Sequence, residues 1–145
     1  MGKPLFDVND LIAEYDPDRH LIHITASHPL SIATEDDGYA ISNWTKAKLA
    51  EHFAERRGYM ITDYTRISIE PSLIKVYIEE MGDIIRTYLL PDGIARYGLE
   101  ITRITAKLGH EIEIGGNPNL FMTKSEALEY IDSLIAKNSK VPLTK

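Results

Sequence analysis

Tyr59-Met60-Ile61-Thr62-Asp63 is the stretch that decides the fold. It reads as a strand, either ending at Asp63 or extending through Ile67-Ser68-Ile69. Helical spacing lies on both sides of it. A strand entered from one helix and left through another needs crossover connections, and crossovers imply parallel pairing. The segment around Ile61 is therefore expected in the middle of a sheet, covered by helices.

Upstream, Ala47, Ala50, Phe53 and Ala54 share one face of a helix expected over about residues 43–56. Ser42 is its expected N-cap, Trp44 lies at the edge of the face, and Gly58 is the expected stop. Arg56 and Arg57 stand in the last turn, where the helix dipole favours cations. Farther upstream, Leu11-Ile12-Ala13-Glu14-Tyr15 and Leu21-Ile22-His23-Ile24-Thr25 flank Asp16-Pro17-Asp18. Pro presets φ and the Asp carboxylates bond nearby amides, so these segments read as a β-hairpin. Leu30-Ser31-Ile32-Ala33-Thr34 is a third short strand candidate, and Glu35-Asp36-Asp37-Gly38 reads as an acidic turn.

Downstream, Pro71 sits where a helix can begin, because its missing N–H costs nothing there. Ile74, Tyr77, Ile78, Met81, Ile85 and Tyr88 recur at helical spacing, with Glu79, Glu80 and Asp83 on the opposite side. Pro91-Asp92-Gly93 is the expected stop. Ile94-Ala95-Arg96-Tyr97 reads as a short strand with Gly98 as its exit. Ile101, Ile104 and Leu108 keep helical spacing up to Gly109, although Tyr97, Leu99 and Ile101 also alternate as in one longer strand. A loop over Gly115-Gly116-Asn117-Pro118-Asn119 leads to Leu120-Phe121-Met122. Thr123-Lys124-Ser125-Glu126 has the form of a capping box. Ala127, Leu128, Ile131, Leu134 and Ile135 form the apolar stripe of the helix that follows.

The expected class is α/β: a small mixed sheet with an N-terminal antiparallel hairpin, then alternating strands and helices. With 145 residues, 43% of them hydrophobic and 26% charged, the chain has the composition of one globular domain. The expected core spans about residues 10–137, with a polar tail over 138–145. There is no Cys, which excludes disulfides, thiolate metal sites and a Cys nucleophile. The net charge of −6 argues against a nucleic-acid partner, which calls for a basic face. No apolar run is long enough to span a membrane, and Met1-Gly2-Lys3-Pro4 opens no signal peptide, so the expected location is the cytoplasm.

The hairpin, the helix, the strand ending in Asp63, the long helix, Arg96-Tyr97-Gly98 and Phe121-x-x-x-x-Glu126-Ala127-Leu128 together resemble the STAS domain. More narrowly, the chain is similar to the SpoIIAA-like (STAS/SEC14-type) group of small bacterial proteins. The resemblance covers roughly residues 10–137. It implies a non-enzymatic regulatory module that binds a partner protein or a small ligand such as a nucleotide or lipid. In related anti-sigma antagonists a Ser of an Asp-Ser-Ser-Gly motif is phosphorylated at a helix start. The matching stretch here is Glu70-Pro71-Ser72-Leu73, in which only Ser72 is retained. Phosphate on Ser72 would sit near a helix N-terminus, where negative charge is favoured.

The residues that could carry binding chemistry form two groups. Asp63 stands at the carboxyl end of its strand, the edge where open parallel sheets bind ligands. The plainer reading is an Asp making turn hydrogen bonds. Arg96, Tyr97, Gly98, Thr102 and Arg103 could gather amides, a hydroxyl and two guanidiniums around one anion. Ordinary ion pairing of the arginines is the alternative. The histidines His20, His23, His28, His52 and His110 are scattered; His20 and His23, three apart on an expected strand, should face opposite ways, so no metal site is expected. No catalytic constellation is assembled by spacing, and no cofactor is expected. The reading is a non-catalytic interaction module, expected as a homodimer because a sheet with an edge hairpin needs its edge protected. The alternatives are a small-ligand carrier or sensor and, behind it, a small enzyme.

Overall fold

The computed structural model describes residues 7–98 and 120–140. Strands β1 (Leu11–Asp16) and β2 (Leu21–Ala26) form the antiparallel hairpin, with Leu11 opposite Ala26 and Asp16 opposite Leu21. The Asp16 carboxylate accepts from the amides of Asp18 at 3.0 Å and Arg19 at 3.4 Å, as its turn chemistry dictates. His20 closes the turn at φ 53°, a left-handed conformation that disfavours a bulky side chain. Two bonds hold it there: Tyr15 Oη lies 2.7 Å from Nδ1, and Nε2 donates to the Arg56 carbonyl at 2.8 Å. His20 thus precedes β2 rather than lying on it with His23.

Strand β4 (Gly58–Asp63) is the centre of a five-stranded sheet ordered β1-β2-β4-β6-β7, where β6 is Leu89–Tyr97 and β7 is Leu120–Phe121. It pairs in parallel with β2 and β6; Ile22 faces Met60 and Ala95 faces Ile61 across the ladders. Met60 and Ile61 are 1% and 0% exposed, one on each face of the sheet. Full burial of such a side chain stabilises by about 1.5–3 kcal/mol, so the central strand is anchored from both sides.

Two helices cover one face. The first, α1, runs Glu35–Phe53 and starts earlier than the sequence reading placed it. Thr34 is the N-cap: its Oγ1 accepts from the Asp37 amide at 3.1 Å, and the Asp37 carboxylate returns to the Thr34 amide at 3.1 Å. Glu35-Asp36-Asp37-Gly38 is accordingly a first helical turn, not a free acidic turn, and its carboxylates suit the positive end of the dipole. Ser42, expected as the cap, is buried in mid-helix. The buried row is Ile41, Ser42, Thr45, Leu49 and Phe53, whereas Ala47 and Ala54 face solvent. Gly58 is not a helix stop but the first residue of β4. A Cβ there would lie 2.5 Å from the His20 carbonyl oxygen, closer than atoms pack, so the close approach requires glycine.

After Tyr64 the chain leaves the main sheet. Strand β5 (Ile67–Ile69) pairs in parallel with β3 (Leu30–Ile32), and the two make a separate small sheet. The third strand is thus not part of the main sheet, and β4 does not extend through Ile69. A 3-10 turn over Pro71–Leu73 opens α2 (Ile74–Tyr88), which buries Tyr77, Met81 and Ile84. Pro91-Asp92-Gly93 does not end that helix, which stops at Tyr88. It forms a bulge inside β6: Gly58 pairs with Leu89 and Met60 with Ile94, and Asp92 takes φ 60°. Tyr64 is 2% exposed, with its hydroxyl 2.6 Å from that of Tyr77.

The opposite face is covered by α3 (Lys124–Lys140). Its capping box forms as the sequence predicts: Thr123 Oγ1 accepts from the Glu126 amide at 3.2 Å, and the Glu126 carboxylate accepts from the Thr123 amide at 3.2 Å. Ala127 and Ile131 pack on Leu21, Tyr59, Ile61, Ala95 and Tyr97. Arg19 ties the hairpin turn to this helix, reaching Asp132 and Asp16 at 2.8 Å each. The product is a mixed α/β sheet between helical layers. Among the described residues no helix is long and apolar enough to cross a membrane. The segment expected as a helix to Gly109 and the 115–119 loop lie outside the described residues.

Candidate functional site

Asp63 ends β4 and Tyr97 ends β6, and the two are register partners. Side chains alternate along a strand, so both point to the α3 face, as Ile61 and Ala95 do one step earlier. His23 reaches the same face from β2, where it pairs with Ile61. Its Nε2 lies 3.0 Å from Tyr97 Oη. Asp63 stands on the neighbouring strand, where its charge weighs on the Tyr97 phenol. Its carboxylate accepts from the Thr65 amide at 2.8 Å and from the Thr65 hydroxyl. Three neighbouring strands thus bring Asp63, Tyr97 and His23 to one face, with Tyr97 and His23 hydrogen-bonded to each other.

Either Tyr97 Oη or His23 Nε2 can donate in their shared hydrogen bond, according to the imidazole tautomer. Burial, followed by the nearby charge of Asp63, pushes the Tyr97 phenol well above its ordinary range. Burial also lowers the His23 imidazole, and the Lys124 ammonium lowers it further; Asp63 and Glu14 pull the other way. A lowered imidazole is neutral at neutral pH. Its Nδ1 has no hydrogen-bond partner among the described residues.

Among the described residues, two of the expected binding residues come together on one face. Asp63 and Tyr97 share a face, but Arg96 alternates to the other side, near Tyr77 of α2, whose phenol its charge opposes in raising. Arg96 and Tyr97 therefore cannot converge on one anion from the same side of the sheet. Gly98 has φ 128°, and a Cβ there would lie 2.9 Å from the Thr65 nitrogen. Its role is the close approach of the β6 exit to the turn after β4. Thr102, Arg103 and His110 lie outside the described residues. Ser72 is exposed on the 3-10 turn, one residue before Leu73, the N-cap of α2, which has no side-chain cap.

The remaining histidines serve separate contacts. His52 stacks on Tyr15 with ring centroids 4.1 Å apart, and His28 lies 3.5 Å from Asp10. Asp37 is engaged in its capping box. Among the described residues no three His, Cys, Asp or Glu converge as metal ligands. The sequence reading passed over His23, Glu14 and Lys124. The available signal was the alternation Leu21-x-His23 opposite Glu14 in the hairpin, which puts a polar pair where the apolar face ends.

Beside the polar residues of this face, between the hairpin and the first turn of α3, lies an open cleft of about 190 Å³. Glu14, His23 and Lys124 are on its walls, with Leu21, Ile61 and Leu128 in its lining. The chain matches no protein-family model, and a search of curated proteins finds no significant match.

Proposed function

We propose that the chain is a non-catalytic regulatory or protein-interaction module of the STAS/SpoIIAA-like type that acts as a homodimer on a partner protein. The observation that supports this reading is the strand order. An antiparallel hairpin stands at one edge, and β4, β6 and β7 are added in parallel beyond it in chain order. The resemblance rests on this same element order. Fold alone does not fix function, so the reading is one of analogy joined to surface features. β1 is an outer strand of the sheet, and its Ile12 is 40% exposed, which makes that edge the surface for a second copy. Exposed Ser72 beside the start of α2 is the modification point the reading assigns.

Two measurements test it. Sedimentation of the full chain across micromolar concentrations should show a dimer that Ile12→Lys dissociates; monomer at every concentration removes the dimer. Affinity capture from cells that express the chain should recover a stoichiometric partner whose retention Ser72→Asp changes. Recovery of nothing beyond what an unrelated protein captures contradicts the module. A second reading, a ligand carrier built on Asp63, Arg96, Tyr97 and Arg103, loses support because Arg96 alternates to the other side of the sheet from Tyr97; Arg103 lies outside the described residues.

A further inference from the structure

Three features of the cleft beside α3 belong together. Its walls carry charges of both signs: Glu14 on β1 and Lys124 at the start of α3, neither ion-paired among the described residues. His23 adds a neutral imidazole whose Nδ1 has no hydrogen-bond partner among the described residues. Leu21, Ile61 and Leu128 give the cleft an apolar part, and Tyr15, Asp16 and Arg19 complete the lining, Asp16 and Arg19 being paired with each other.

We propose that this cleft binds a small zwitterion, an α-amino acid with a short apolar side chain. Lys124 takes the carboxylate. Glu14 and the free Nδ1 of His23 take the ammonium, which needs acceptors only. Leu21, Ile61 and Leu128 receive the side chain, and the cleft of about 190 Å³ suits a ligand of that size. A simple anion would leave Glu14 against like charge, and a simple cation would leave Lys124 so; a zwitterion answers both. The lowered proton affinity of His23 serves the same end, since an imidazolium there would repel the ammonium. The proposal does not depend on the interaction-module reading.

The test is a nuclear magnetic resonance titration of the full chain with L-valine, using isovalerate and isobutylamine as its two half-ligands. L-valine should shift the amides of Leu21, His23, Ile61 and Lys124 saturably at millimolar concentrations. Each half-ligand should bind at least about tenfold more weakly, as expected for the loss of one charged hydrogen-bonding group. Glu14→Gln and Lys124→Gln alter exposed side chains and should each weaken L-valine by about tenfold while leaving the rest of the spectrum in place. No saturable shift, shifts away from this face, or equal binding of valine and either half-ligand would overturn the proposal. The half-ligand comparison needs no variant, so it stands even if a substitution unfolds the protein.

Discussion

The two faces of the main sheet are built differently. The face under α1 and α2 is a continuous apolar layer in which Ile22, Ile24, Met60 and Ile94 meet Leu49, Phe53, Tyr77 and Met81. The face under α3 is apolar only where that helix lies, at Leu21, Tyr59, Ile61 and Ala95. Beyond it, the same face carries Glu14, His23 and Asp63, with Tyr97 at the boundary. Among the described residues one helix lies on this face, and the part of the sheet beyond it is polar. The first face is organised for stability, and the second has a stable half and a half that can meet a ligand.

Substitutions that ignore this division should have the largest effect. Ile61→Ala removes a side chain with no exposure beneath α3 and should cost about 2–5 kcal/mol in urea denaturation. A loss under 1 kcal/mol would place little weight on the α3 face, contrary to the account. Tyr97→Phe keeps the ring but leaves the His23 Nε2 without its hydrogen-bond partner. It should cost about 1–3 kcal/mol in the same assay. An unchanged midpoint would mean that water replaces the hydroxyl without loss.

The pH profile sharpens the comparison further. His23 has a folded pKa below its unfolded value, chiefly through burial. The unfolded chain then binds more protons once pH falls below about 6.5, so stability should fall with pH in that window. His23→Gln should flatten that part of the profile, as read from denaturation midpoints at successive pH values. The smallest effect belongs to the apolar face. The Ser42 hydroxyl is buried without a hydrogen-bond partner among the described residues, so Ser42→Ala should change stability by no more than about 1 kcal/mol, and toward greater stability. A large destabilisation would reveal a partner for that hydroxyl.

Much of the framework was legible because local chemistry and final structure agree. Asp16-Pro17-Asp18 makes the hairpin turn, Tyr59–Asp63 is the central strand, and Thr123 with Glu126 caps α3. The start of α1 was hidden because its capping box closes with Asp37 in place of the usual Glu or Gln, while Ser42 offered a decoy cap. Pro91-Asp92-Gly93 carries turn chemistry, and a bulge uses that chemistry without ending the strand. Of the site, Asp63 could be read from its place at a strand end. His23 could not be joined to Tyr97, because their contact reaches across β4 and depends on strand order and register that no local pattern encodes.

The central claim about the site is that the α3 face holds His23 beside Tyr97 as a neutral imidazole, its charged form disfavoured by burial. Imidazole nitrogen-15 chemical shifts of the full chain read this directly. At neutral pH they should show one protonated and one bare nitrogen, with a titration midpoint below the ordinary value for histidine. Two protonated nitrogens at neutral pH, or a midpoint above that value, would contradict the account.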